Sequence, residues 1–285
     1  KIGGIYIYLT TLITIFILYN FYNERFIFSF AFLTSGFFLI GLIDDKIEIK
    51  ASSRLILQFF IIAISINIDF NLNIDSLNIG LLSKEIKIFN GSNLFTIFCI
   101  IALVNAINLL DGKDGLAGSI FLVFLIISLI NKSHNFNIII INLILCTALF
   151  LTLNLQGKIF LGNSGAYLIG GIMSFIIIQN YNFETFQIEI IFSIFYLYGL
   201  DMLRVYCERL YKGINPFTSG NNHLHHYIFK RIKNKYLSLI LYIFLAYLPY
   251  CFSYIYMNYY LLIFLCLIIY VLTYLYFKNF KKLSE

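Results

Sequence analysis

The sequence predicts an all-α fold, a polytopic transmembrane helical bundle, and three observations carry that prediction. Of 285 residues, 60% are hydrophobic and 12% charged, against about 45–50% and about 25% in ordinary soluble domains. Apolar runs of about 20 residues, or somewhat fewer where the flanks can snorkel, recur along the whole chain. The Lys and Arg residues between those runs fall on alternate sides with a strong bias. Soluble-enzyme, nucleic-acid-binding and disordered classes are excluded, since the net charge of +6 is spread through loops instead of gathered on one face.

Ten spans are expected, near 5–20, 27–43, 54–70, 94–110, 117–131, 137–154, 165–180, 187–203, 236–256 and 259–277, forming a single integral-membrane domain over 1–285. The runs are too long and too uniformly apolar for the alternation of a transmembrane barrel, so strands are not expected. With residue 1 inside, only Arg25, Lys84, Lys87 and Lys132 fall outside. The other sixteen of the 20 Lys and Arg, including Lys1, Lys281 and Lys282, fall inside, which places both ends on the cytoplasmic side. The longest polar stretch, 204–235, is then a cytoplasmic loop. The cysteines, Cys99, Cys146, Cys207, Cys251 and Cys266, lack metal-like spacing and read as small core hydrophobes. The opening Lys1-Ile2-Gly3-Gly4 carries no initiator Met, polar lead or small-residue cleavage site, and reads as a missing natural beginning.

This topology sorts the unusual polar residues onto one face. Asp44-Asp45 ends the second span, Asn105 to Asp114 the fourth, the loop 157–165 follows the sixth, and His223, His225 and His226 follow the eighth. Ionisable groups at membrane depth are costly and are functional candidates by default. Adjacent carboxylates on a helix project roughly 100° apart, so Asp44 and Asp45 suit two tasks, one moving a proton and the other holding a metal or a lysine. A simple interfacial helix end paired with Lys46 and Arg54 is the plain alternative. Asn105, Asn108 and Asp111 recur every three residues, a polar stripe running to the glycine-broken end Gly112-Lys113-Asp114-Gly115. In Gly157-Lys158-Ile159-Phe160-Leu161-Gly162-Asn163-Ser164-Gly165, the glycines and Ser164 suggest backbone amides at a helix start, a phosphate cradle. The histidines, with Lys230 and Arg231 nearby, suit a diphosphate better than a metal. Carboxylates, a cradle and basic groups at one interface describe an enzyme joining a lipid phosphate to a soluble phosphorylated donor, with magnesium a common charge neutraliser.

In their order, these motifs resemble the polyprenyl-phosphate N-acetylhexosamine-1-phosphate transferases, the MraY/WecA-like membrane glycosyltransferases. The resemblance runs from Ile2-Gly3-Gly4 to the histidines, and Asn215-Pro216-Phe217 is closer to the WecA, teichoic-acid and O-antigen branch. It implies a UDP-activated amino sugar, undecaprenyl phosphate as acceptor, magnesium or manganese, and UMP with a polyprenyl-diphospho-sugar as products. It also implies the bacterial inner membrane with its lipids, a site facing the cytoplasm, no nucleic acid, a cell-surface polysaccharide pathway, and allows a homodimer. By position, Asp44 matches the aspartate held to deprotonate the lipid phosphate, and Asp45 its acidic neighbour near the metal. Asn105, Asn108, Asp111 and Asp114 match the nucleotide and metal pocket, with Asp111 and Asp114 among the catalytic residues. Gly162 and Ser164 match substrate-binding positions, and His223, His225 and His226 the diphosphate motif. The implied metal set is Asp45, Asp111 and position 163. There the family carries Asp, whereas this chain has Asn163, so weaker or rearranged magnesium binding is expected.

Two other readings compete. A transporter, or a silenced relative of such enzymes, would explain polar residues in a membrane, but transporter sites are expected at the midplane. Asp111-Gly112-Lys113-Asp114-Gly115 also suggests a CDP-alcohol phosphatidyltransferase, but Gly118 follows Ala117 and the further spaced aspartates of that motif are missing.

Overall fold

The computed structural model describes residues 2–19, 24–131, 137–218, 220–256 and 258–279. Lys1, Lys132, Lys281 and Lys282 of the orientation argument, residue 20 of the first expected span and Ser219 of the expected loop lie outside the described residues. Eleven helices appear among them: α1 (Gly3–Leu18), α2 (Glu24–Ile47), α3 (Ala51–Ile68), α4 (Ser92–Leu110), α5 (Leu116–Ile130), α6 (Asn137–Asn154), α7 (Gly162–Asn182), α8 (Ile188–Tyr211), α9 (Leu224–Ile232), α10 (Lys235–Ile255) and α11 (Tyr259–Asn279). All ten expected spans are helical, and the chain is an all-α polytopic membrane protein. Seven helices, α2, α3, α4, α6, α8, α10 and α11, are long and apolar enough to cross a bilayer. Helices satisfy every internal backbone group within the segment, which lipid requires.

The chain divides into two compact units, residues 1–78 with 85–186, and residues 79–84 with 187–285. In the first unit, α7 is enclosed: every residue from Ser164 to Asn180 is buried, with α1, α2, α4 and α5 packed about it. Its Gly, Ala and Ser residues admit close helix approach, and a helix surrounded by protein has no need of a lipid-facing apolar surface. That accounts for a start as polar as Gly162-Asn163-Ser164 on a helix of 21 residues. Apolar side chains such as Phe16, Leu145 and Leu149 point outward instead, as in a protein whose outer solvent is lipid.

The loops of this unit sort to two ends. At one, the Gly3 and Gly4 amides donate to the Phe160 and Leu161 carbonyls (3.0 and 3.2 Å). There too, Gly115 N donates to Asn154 Oδ1 at 2.6 Å. At the other, Asn182 Nδ2 donates to the Asn71 and Asn73 carbonyls, both at 2.7 Å. This is the alternation that the ten-span reading requires.

In the second unit, α10 and α11 pack on α8, and α9 packs on α10 and α11. Asn234 caps α10 by accepting from Leu237 N at 3.1 Å.

Three expectations need correction. The stretch 204–235 is not a continuous loop: α8 runs on to Tyr211, and α9 occupies Leu224–Ile232. Residues 204–211 are charged but stay helical, and α9 is a nine-residue helix burying Leu224 and Ile228, too short to leave a long apolar run. A small hairpin, β1 (Ser76–Ile79) with β2 (Lys84–Lys87), sits between α3 and α4, in strands too short to show an alternating pattern. Cys207 and Cys251 are exposed, on outward helix faces, so the core reading holds for Cys146 and Cys266.

Candidate active site

The end of α2 carries Asp44, which is 5% exposed and accepts from four donors. Ile49 N donates to Oδ1 at 2.8 Å. Oδ2 takes Asn163 Nδ2 at 3.0 Å, the Tyr167 hydroxyl at 3.1 Å and Arg54 Nη1 at 3.4 Å. Each carboxylate oxygen offers about two lone-pair positions, so Oδ2 is crowded by its three donors. The Arg54 contact is the longest of the four, and its Nε is buried with no partner among the described residues.

Asp45 turns to the start of α7. It accepts from Asn163 N at 3.0 Å, Ser164 N at 3.1 Å and Ser164 Oγ at 2.9 Å. The first amides of a helix lack intrahelical partners and carry the positive end of its dipole, so Asp45 caps α7 from a different helix. Adjacent positions on α2 thus meet different partners. The contact needs close backbone approach: a Cβ on Gly41 would lie 2.4 Å from both Asn163 O and Ser164 Cα. A Cβ on Gly4 would lie 2.5 Å from Gly165 N, which seats the start of α1 at the same corner. The amides expected to cradle a phosphate are therefore turned to Asp45, and Ser164 is fully buried.

The α4 stripe lies in the same unit. Asn105 Nδ2 donates to Gln58 Oε1 at 3.1 Å, one turn along α3 from Arg54. Gln58 Nε2 and, one turn from Asn105, Asn108 Oδ1 are buried without partners among the described residues, which is unusual for native polar atoms and marks a place for a ligand or water. Asp111 ends α4, and Asp114 lies half-buried in the turn before α5. That turn is fastened by Asn154, which accepts from Gly115 N at 2.6 Å and donates to Ile159 O at 2.7 Å.

In the second unit His223, His225 and His226 gather, with ring centroids 4.0 to 6.0 Å apart. Asp201 of α8 organises them. Its Oδ2 faces His223 Nδ1 and accepts from Leu224 N, both at 3.0 Å, so it caps α9 and orients the first histidine. That leaves His223 Nε2 buried and unpartnered among the described residues. Asp201 Oδ1 takes Arg204 Nη2 at 2.7 Å, and Arg204 Nη1 also reaches Glu208 at 2.9 Å.

The implied metal set does not fit. Among the described residues, no group of three or more His, Cys, Asp or Glu side chains converges to hold a metal ion. Asp45 is engaged by α7, and the side-chain nitrogen of Asn163 points at a carboxylate.

Sequence reasoning missed Gln58, Asn154, Tyr167 and Asp201, while Arg54, named there only as a partner of the plain helix end, does pair with Asp44 at 3.4 Å. Arg54 and Gln58 share one face of α3 at a spacing of four, and Asp201 is an ionisable residue within an apolar run. Both signals were present in the chain.

Residues 27–180 match the family model of glycosyl transferase family 4. The chain belongs to glycosyl transferase family 4. It is thereby a membrane enzyme of the MraY/WecA kind, a polyprenyl-phosphate sugar-1-phosphate transferase, and the family resemblance in the motifs is confirmed. The matched stretch holds Asp44, Asp45, the 105–114 segment, Asn163 and Ser164, while Asp201 and the histidines lie beyond it. No curated protein matches the chain.

Proposed function

We propose that this family 4 transferase moves an N-acetylhexosamine-1-phosphate from a UDP-sugar to undecaprenyl phosphate at the cytoplasmic face of a bacterial inner membrane. An oxygen of the lipid phosphate attacks the sugar-bearing phosphorus of the donor, the P–O–P bond breaks, and UMP leaves. The product, undecaprenyl-diphospho-sugar, begins a cell-surface polysaccharide.

The observation that carries this reading is the corner of α2, α3 and α7, where a buried carboxylate, a guanidinium and a tyrosine hydroxyl meet. Phosphoryl transfer depends on positioning and charge neutralisation more than on covalent help from the protein. Of the three donors on Asp44 Oδ2, Arg54 is the farthest and is the one placed to turn to a substrate. A departing Arg54 would meet a phosphate with the bidentate preference of a guanidinium. In the second unit, Asp201 fixes the ring of His223, and a fixed imidazole presenting Nε2 suits a phosphate oxygen.

UMP release tests the proposal. Purified protein in detergent receives undecaprenyl phosphate, magnesium or manganese, and each of several UDP-N-acetylhexosamines. Lipid-dependent UMP is expected with at least one donor, falling about 100-fold or more in Asp44→Asn. Sugar flux across proteoliposomes without any lipid-linked product would overturn it.

A further inference from the structure

We propose that Asn163 serves in this chain as a hydrogen-bond donor that holds Asp44 where a metal ion would otherwise be needed, so that the corner formed by Asp44, Asp45 and Asn163 is built to stand without a cation. The Oδ2 of Asp44 lies 3.0 Å from Asn163 Nδ2. An ionised carboxylate only accepts, so the amide oxygen cannot face it and the amide nitrogen must. The same residue's backbone amide is committed to Asp45 at 3.0 Å. Position 163 thus ties both carboxylates to α7 with donors.

The charges at this corner are already compensated. Asp44 has Arg54 at 3.4 Å, and Asp45 has the amides that open α7 with the positive end of its dipole. A divalent ion placed here would compete with the donors to both carboxylates. An aspartate at 163 would reverse the balance by setting a third carboxylate about 3 Å from Asp44. Like charges that close cannot both stay ionised without a shared proton or a cation between them. The single change from carboxylate to amide therefore exchanges a cation requirement for a hydrogen bond. The readout is stability and cation binding instead of turnover, so the outcome is independent of the donor sugar and of the transferase assay.

The experiment compares apparent unfolding midpoints in detergent, without substrate, in EDTA and in millimolar magnesium or manganese. Wild type should show the same midpoint in both. Asn163→Ala should lose about 3 °C or more, equally in both, because a bond to a buried charge is gone. Asn163→Asp should lose at least as much in EDTA and recover most of it when the cation is added. A wild-type midpoint that rises with cation, and a rise that vanishes in Asn163→Ala, would overturn the proposal by making Asn163 a ligand. The wild-type and Asn163→Ala pair decides this without relying on Asn163→Asp to fold. Failure of cation to rescue folded Asn163→Asp would refute the exchange of one device for the other.

Discussion

Each unit contains a buried aspartate that receives four donors, yet the two are held differently. Asp201 is bound by an arginine at 2.7 Å, one turn along its own helix, by the first amide of α9, by a histidine and, at 3.4 Å, by the Tyr270 hydroxyl. Asp44 draws donors from the chain just beyond α2, from α3 and from α7, and its one charged donor among the described residues stands off at 3.4 Å. Short charge-assisted bonds are the strong ones, so Asp201 is locked whereas Asp44 can exchange its charged partner. A group that orients another residue needs the first arrangement, and a group that must answer a substrate's charge needs the second.

The largest effect that probes this difference comes from removing each carboxylate. Asp201→Ala takes from Arg204 its most buried carboxylate partner, leaves it Glu208, uncaps α9 and frees the His223 ring, so a loss of about 3–5 kcal/mol is expected in denaturant titration of the detergent-solubilised protein. Asp44→Ala leaves Arg54 partly solvated, and about 1–3 kcal/mol is expected. An equal or larger loss at Asp44 would break the comparison.

Next comes backbone approach. Gly41→Ala drives a Cβ into the backbone of Asn163 and Ser164, where neither atom belongs to a side chain that can swing away. About 1–3 kcal/mol of destabilisation is expected, measured in the same titration. In the second unit, Gly199→Ala meets nothing within 4 Å and should be neutral or slightly stabilising. Equal sensitivity at both sites would show that the corner tolerates separation of α2 from α7.

The smallest effects concern caps. Asp45→Ala removes the acceptor for two α7 amides and a buried serine hydroxyl, and should cost about 1–2 kcal/mol. Asn234→Ala removes an exposed cap on α10 and should cost less, about 0.5–1 kcal/mol. Thermal midpoints of the two variants, compared with wild type, separate a cap that anchors the corner from one that only finishes a helix.

Much of the candidate site was legible because it is written in local patterns. The Asp44-Asp45 pair, the three-residue recurrence of Asn105, Asn108 and Asp111, and the cluster His223, His225 and His226 each fall within one short segment. Tyr167 escaped notice because a tyrosine within a span carries no local signature, and Arg54 entered only as a charge partner for the end of the second span. Asp201 sat in an apolar run beside the loop that drew attention to the histidines, and only its contact with His223 reveals its task.

Composition and hydropathy by themselves determined that the chain is helical and crosses a membrane several times, since burial in lipid forces each span to close its own backbone hydrogen bonds. Tertiary structure alone decided that Asp45 caps α7, that Asp44 is tied to Asn163 across 119 positions, and that α7 is wrapped by protein despite its polar start. Those facts depend on which helices pack together. Periodicity along a chain records the faces a helix presents, and not the partner that each face will meet.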